Sequence, residues 1–260
     1  MSENTKEPVR IVTDRKCPKC GASIIALKYG DVMFDGICDC AKGEAEAEAE
    51  KKINKRREDF RQTSGMTKRS INQTFNFTPQ QYQKKAVEMS LKWKDGFLNN
   101  TLGDTFGLLL IGNVGTGKTH LACAILNSVI DGMPIKINTE YEMYNPSKTK
   151  SPFVFVTAND MCLNLANVYN DGLDVMDRYK KCKLLIIDDL GSEKQTERSK
   201  EQFESIINYR YGEYLPIIIT TNLTLQSIKA KYGDRIADRL KEICEIAELV
   251  GESNRKKRPA

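Results

Sequence analysis

Residues 108–122, LLLIGNVGTGKTHLA, set an uninterrupted apolar run against a glycine-rich turn that ends in Lys-Thr. A run apolar at every position suits a strand buried on both faces, and the residues after Thr119 suit a helix. Between them, Gly112, Asn113, Val114, Gly115, Thr116, Gly117, Lys118 and Thr119 have the spacing G-x-x-x-x-G-K-[ST]. The glycines let backbone N–H groups turn inward and converge, making a nest for phosphate oxygens that the helix N-terminus reinforces. Lys118 then reaches the β- and γ-phosphates and the Thr119 hydroxyl binds Mg²⁺, so the expected ligand is ATP with Mg²⁺. An ordinary strand-to-helix turn has no need of lysine and threonine at these positions. His120, the single histidine, follows in the first helical turn and is grouped with the nucleotide-binding loop. With no partner for catalysis, it is read as packing or backbone support.

Short apolar runs recur: GLLLI at 107–111, FVFV at 153–156, LLIID at 184–188, PIIIT at 216–220 and IAELV at 246–250, separated by segments of helical length. They signal a parallel sheet covered by helices on both faces, an α/β domain built around a phosphate loop. Upstream, Thr78-Pro79 supplies an N-cap and a first-turn proline, and Tyr82, Ala86, Met89 and Trp93 follow at helical spacing. PIKINTEYEMYNPSKTKS at 134–151 has no clear periodicity and reads as a surface excursion.

Two strand ends carry further chemistry. LLIIDDLG finishes in Asp188 and Asp189, one carboxylate to hold the Mg²⁺ shell with Thr119 and one to orient or polarise water. IITTNL closes the next strand with Asn222, whose neutral amide suits the attacking water or the γ-phosphate.

Near the N-terminus, Cys17-Pro-Lys-Cys20-Gly is followed by Cys38-Asp-Cys40. Four soft thiolates, one pair in a standard knuckle, match the tetrahedral preference of structural Zn²⁺; a redox pair and incidental thiols are the alternatives. Residues 1–43 therefore read as a small zinc-binding module. KGEAEAEAEKKINKRREDFRQ then consists of strong helix formers that bury little apolar surface, so 44–74 reads as a helical or flexible linker. Residues 75–260 are the large domain. Cys123, Cys162, Cys182 and Cys244 read as small packing residues.

No apolar run approaches the ~20 residues needed to cross a bilayer, and the polar start MSENTKEPVR lacks the apolar centre of a secretory signal. The expectation is a cytoplasmic protein with no membrane partner. A net charge of +5 permits a phosphate-bearing partner. KKINKRREDFR at 51–61 and RKKR at 255–258 could neutralise phosphates, although solvated charge is the commoner meaning of such runs. Phe75 and Phe77 read as anchors into the domain, with base stacking or a lid over adenine as alternatives.

Taken in order, GNVGTGKTHLACAI, LLIIDDLGSEK, IITTNL and YGDRIADRL resemble the DnaC/DnaI-like bacterial or phage replicative helicase loaders, AAA+ ATPases related to the IstB transposition helpers. The resemblance covers roughly Phe75 to Arg255. It implies a five-stranded AAA+ sheet and assembly of subunits into a ring or spiral with ATP at the interfaces. It also implies single-stranded DNA as a ligand and a DnaB-type hexameric helicase as partner. Arg235, the first arginine of DRIADRL, takes the position of the arginine finger donated to a neighbour's γ-phosphate; pairing with Asp234 or Asp238 is the structural alternative. Arg239 is the weaker candidate. Arg255 in GESNRKK matches an arginine of the family's GxSxR setting, but with five residues after it no helical lid is expected to carry a sensor. Loaders of the DnaI type carry an N-terminal zinc domain that contacts the helicase, which makes residues 1–43 a docking element; a nucleic-acid-binding ribbon competes. The expected activity is slow, partner-stimulated ATP hydrolysis serving helicase loading. An IstB-like transposition ATPase and a non-catalytic adaptor switched by ATP are the rivals.

Overall fold

The computed structural model describes residues 9–29, 32–34, 38–135, 151–166, 172–194 and 196–253. Arg255, the basic tail and most of the 134–151 excursion lie outside them. The chain divides into two compact units, residues 1–56 with 135–137, and residues 57–134 with 138–260.

In the first unit β1 (Val9–Lys16), β2 (Ser23–Tyr29) and β3 (Val32–Phe34) form an antiparallel meander. The β1–β2 connection is the cysteine knuckle. Gly21 adopts φ +72°, which glycine tolerates without cost, and its N–H donates to the Cys17 carbonyl at 2.9 Å. After Cys38 the chain enters α1 (Asp39–Thr63), whose early turns are exposed and carry an i,i+4 pair, Glu48 with Lys52 at 2.8 Å.

The second unit begins with the last two turns of α1. Phe60 and Met66 are buried, Phe60 lying edge-on to Phe153 with centroids 6.3 Å apart. Its elements then run α2 (Lys84–Leu98), β4 (Gly107–Gly112), α3 (Lys118–Gly132), β5 (Phe153–Thr157), α4 (Ala158–Ala166), α5 (Gly172–Lys181) and β6 (Leu184–Leu190). They continue through α6 (Glu197–Gly212), β7 (Ile217–Thr221), α7 (Leu225–Tyr232), α8 (Asp234–Ile243) and β8 (Cys244–Leu249). All five strands pair in parallel in the order β5-β6-β7-β4-β8, the AAA+ phosphate-loop architecture.

Period-two alternation divides the strands between two cores. Leu109, Leu185, Ile187, Ile217 and Ile219 join one cluster with Met161, Phe203, Ile228, Ile236 and Leu240 from α4, α6, α7 and α8. Leu108, Leu110, Ile186 and Ile218 are equally buried on the other face, where α3 packs on β4, β6 and β7. This two-sided burial is why the runs read as continuous rather than alternating. Cys123 and Cys244 fill small buried positions, and burial pushes both thiols up to about 12.

One element start departs from expectation. The helix expected from Thr78-Pro79 begins later, with a 3₁₀ turn at Gln81–Gln83 and α2 proper at Lys84. Its start is tied by Gln80 N–H donating to Gln83 Oε1 at 2.8 Å and Gln83 N–H donating to the Gln80 carbonyl at 2.9 Å, so a glutamine amide rather than the Thr78 hydroxyl takes the capping role. The outer edge of β5 is closed by irregular chain. Phe155 N–H donates to the Ser64 carbonyl at 2.7 Å, and a Cβ on Gly65, φ +97°, would stand 2.2 Å from the Phe155 oxygen, so only glycine passes there.

Candidate functional site

The carboxyl ends of β4, β6 and β7 share one edge of the sheet, the edge where parallel α/β proteins bind ligands. The loop after β4 has Gly115 at φ +84° and Gly117 at φ +104°, conformations that side chains rarely tolerate. A Cβ at Gly112 would lie 2.2 Å from the Leu249 carbonyl oxygen, so the strand end needs glycine for a steric reason as well. Thr116 is fully buried and its hydroxyl donates to the Asn113 carbonyl at 2.9 Å, bracing the turn. Asn113 and Val114 at the tip are exposed.

Lys118 opens α3 but folds back over the loop. Its Nζ donates to the carbonyls of Gly112 at 2.8 Å and Asn113 at 2.7 Å and to Asn222 Oδ1 at 2.7 Å. The next residue turns toward β6: Thr119 Oγ1 donates to Asp188 Oδ1 at 2.9 Å. The same carboxylate oxygen accepts from Thr220 Oγ1 at 2.7 Å. Burial pushes the Asp188 carboxyl above its ordinary value, against the pull of the Thr220 and Thr119 hydroxyls.

A regular strand would send Asp188 and Asp189 to opposite faces. The structure avoids this with a bulge. Ile187 pairs with Ile219 and Leu190 with Thr221, leaving Asp188 and Asp189 together opposite Thr220, with Asp189 at φ +57°. Asp189 N–H donates to Thr220 Oγ1 at 2.8 Å, while Asn222 Nδ2 donates to Asp189 Oδ1 at 3.0 Å. Asn222 thus touches both Lys118 and Asp189, and one hydrogen-bonded network joins the loop to the two strand ends. Thr220 holds the bulge together and was not legible in advance, because a threonine inside a strand looks like ordinary β-propensity.

His120 lies behind the loop, its Nε2 2.9 Å from the Thr74 carbonyl and its ring edge-on to Phe77 at 4.8 Å. Phe75 and Phe77 are half-buried. Arg235 stands apart on α8, largely exposed, with Nη1 3.3 Å from Glu204 Oε1 rather than paired with Asp234 or Asp238. Asp234 instead pairs with Lys229 at 3.1 Å. Arg239 lies over the Tyr211 ring at 5.1 Å.

In the first unit the four sulfurs of Cys17, Cys20, Cys38 and Cys40 lie within 4.8 Å of one another, with Cys17–Cys40 at 3.6 Å and Cys20–Cys38 at 3.3 Å. Four Zn–S bonds of about 2.3 Å in a tetrahedron set sulfurs about 3.8 Å apart, so the donor set fits Zn²⁺ in number, softness and spacing. The backbone N–H groups of Cys20 and Lys19 pull the Cys17 thiol down to about 6. Among the described residues, no helix is long and apolar enough to cross a membrane.

Comparison with known proteins agrees with this geometry. The replicative helicase loader DnaC of Buchnera aphidicola subsp. Baizongia pistaciae is 29% identical over 160 residues, 61% of this chain and 58% of that protein. An uncharacterized Bacillus subtilis protein, YqaM, is 30% identical over 167 residues, 62% of this chain and 48% of that one. The chain thus spans about half to three-fifths of the length of these relatives. A crystal structure of the DnaC helicase loader superposes with a TM-score of 0.54 at 23% identity, over 70% of this chain and 99% of that one, which shows a shared fold. Residues 47–260 match the family model described as IstB-like ATP binding protein. That match takes in well over half of the sequence, and the chain therefore belongs to the IstB/DnaC family of AAA+ ATP-binding proteins.

Proposed function

We propose that this protein is an AAA+ ATPase that engages a DnaB-type hexameric helicase and places it on single-stranded DNA, with ATP binding and hydrolysis controlling assembly and release. The observation that carries the reading is the single network in which Lys118, Thr119, Asp188, Asp189 and Asn222 meet at one sheet edge. Residues 112–120 cradle the triphosphate, and Lys118 exchanges its carbonyl partners for β- and γ-phosphate oxygens. Thr119 and Asp188 supply hard oxygen donors at the position a Mg²⁺ ion needs. A Mg²⁺ ion held by Thr119 and Asp188 would supply charge neutralisation for the phosphates. Asp189 orients water against the γ-phosphorus, Asn222 holds Asp189 and the phosphoryl oxygen in register, and the products are ADP and phosphate. Arg235, exposed and paired with Glu204 at the surface, reaches the γ-phosphate of a neighbouring subunit in the ring or spiral.

Cys17, Cys20, Cys38 and Cys40 hold a structural Zn²⁺ within residues 1–43, and that module docks on the helicase in the cytoplasm, where thiols stay reduced. Residues 44–56 lead from it into the unit that carries the nucleotide site, which begins at Arg57.

The test is transfer of a purified DnaB-type helicase onto closed circular single-stranded DNA. Transfer should require this chain and ATP, and Lys118→Ala should abolish both nucleotide binding and transfer. ATP-dependent helicase capture with no ATP turnover under any combination of partners would favour the adaptor reading, and association with a transposase in place of the helicase would favour the IstB one.

A further inference from the structure

We infer that Gln83, a residue outside every nucleotide-binding signature in this chain, is a positioning residue of the phosphate loop; the inference rests on the ATP reading above. Gln83 is 5% exposed and both ends of its amide are engaged. Gln80 N–H donates to Gln83 Oε1 at 2.8 Å, and Gln83 Nε2 donates to the Thr116 carbonyl at 2.8 Å. Because a backbone N–H can only donate, the first bond fixes which end of the amide is oxygen, and the second end is therefore a donor aimed at the loop.

The consequence follows from peptide geometry. The Thr116–Gly117 bond is trans, so its C=O and N–H point in opposite directions. Tethering the Thr116 oxygen to Gln83 turns the Gly117 N–H away from Gln83. A glycine at φ +104° gives that peptide little resistance to rotation, because no Cβ hinders it. The Gln83 amide supplies the missing restraint, and a Cβ on Gly117 would stand 2.9 Å from Nε2, so the two residues are in direct packing contact. The loop's inward-pointing donor is thus set from outside by the 3₁₀ turn that precedes α2, and Gln83 lowers the cost of organising the nest before phosphate arrives.

The test is the affinity of a fluorescent ADP analogue for wild type, Gln83→Leu and Gln83→Glu at pH 5.5 and 8.5, each variant expressed as a ratio to wild type. Gln83→Leu keeps the shape and loses the donor, and should bind about tenfold more weakly at both pH values. Gln83→Glu can donate to the Thr116 oxygen only while protonated, a form that burial at this site favours, so its ratio to wild type should be higher at pH 5.5 than at pH 8.5. Leucine binding equal to wild type, or a glutamate ratio that does not move with pH, overturns the inference. Should Gln83→Leu fail to fold, the glutamate series decides alone. A wild-type chain that binds no nucleotide overturns the ATP reading and this inference with it; a wild type that binds while Gln83→Leu equals it overturns this inference only.

Discussion

Asp189 shows how much of a site can hang on one dihedral angle. Its φ of +57° inserts the extra residue of the bulge and brings two consecutive carboxylates to one side. Aspartate and asparagine tolerate this region better than most residues. Asp189→Asn should therefore leave the thermal midpoint within about a degree or two while removing ATP hydrolysis, as read by phosphate release. A comparable loss of stability would mean that the carboxylate charge, rather than the conformation, holds the bulge. Sequence reading reached Asp188, Asp189 and Asn222 because carboxylates and amides at the ends of buried strands are chemically conspicuous. It missed Thr220 and Gln83 because their role lies in where a hydroxyl or an amide points, which neither periodicity nor composition encodes.

Between elements, the loop after β6 is clamped to α7. Glu193 is buried and accepts from the Tyr232 hydroxyl, while Lys231 Nζ lies 2.9 Å from its Oε1 and donates to the Gly191 carbonyl at 2.7 Å. Burial works to raise the Glu193 carboxyl, but Tyr232, Lys231 and the Gly191 N–H outweigh it and hold the group below the usual carboxylate range. A depressed folded value contributes stability that is present above the unfolded value near 4.3 and is lost as pH falls through the folded one. Glu193→Gln should therefore cost about 1–3 kcal/mol at pH 7, and the gap to wild type should close as the melt is repeated toward pH 3. A gap constant with pH would show that shape rather than charge holds the clamp. Element starts were legible only in part. Five strands were readable from their runs, whereas the start of α2 was set by hydrogen bonds between Gln80 and Gln83, glutamines that carry no strong helix-start signal.

At the level of the whole molecule, the order β5-β6-β7-β4-β8 was within reach of the sequence only through family resemblance, because periodicity reports strands and not their neighbours. The proposed finger belongs to this scale. Arg235→Ala gives up only an exposed pair with Glu204, which contributes little, so folding and nucleotide affinity should be unchanged. Hydrolysis in the presence of DNA and helicase should fall on the order of a thousandfold, and full activity in that mixture would remove Arg235 from the mechanism. The first unit makes a separate prediction. Metal analysis should give about one zinc per chain, absent from a Cys17→Ser/Cys20→Ser double variant, whose residues 1–56 become protease-sensitive while residues 57–260 stay resistant.

The carbonyl of Ser64 that occupies the amide of Phe155 has a bearing on how copies of the domain can meet. An outermost strand with vacant donors invites another chain to extend it, and such joins are long-lived and hard to reverse. At β5 that donor is already taken at Phe155, so this strand is a poor template for extension by another chain.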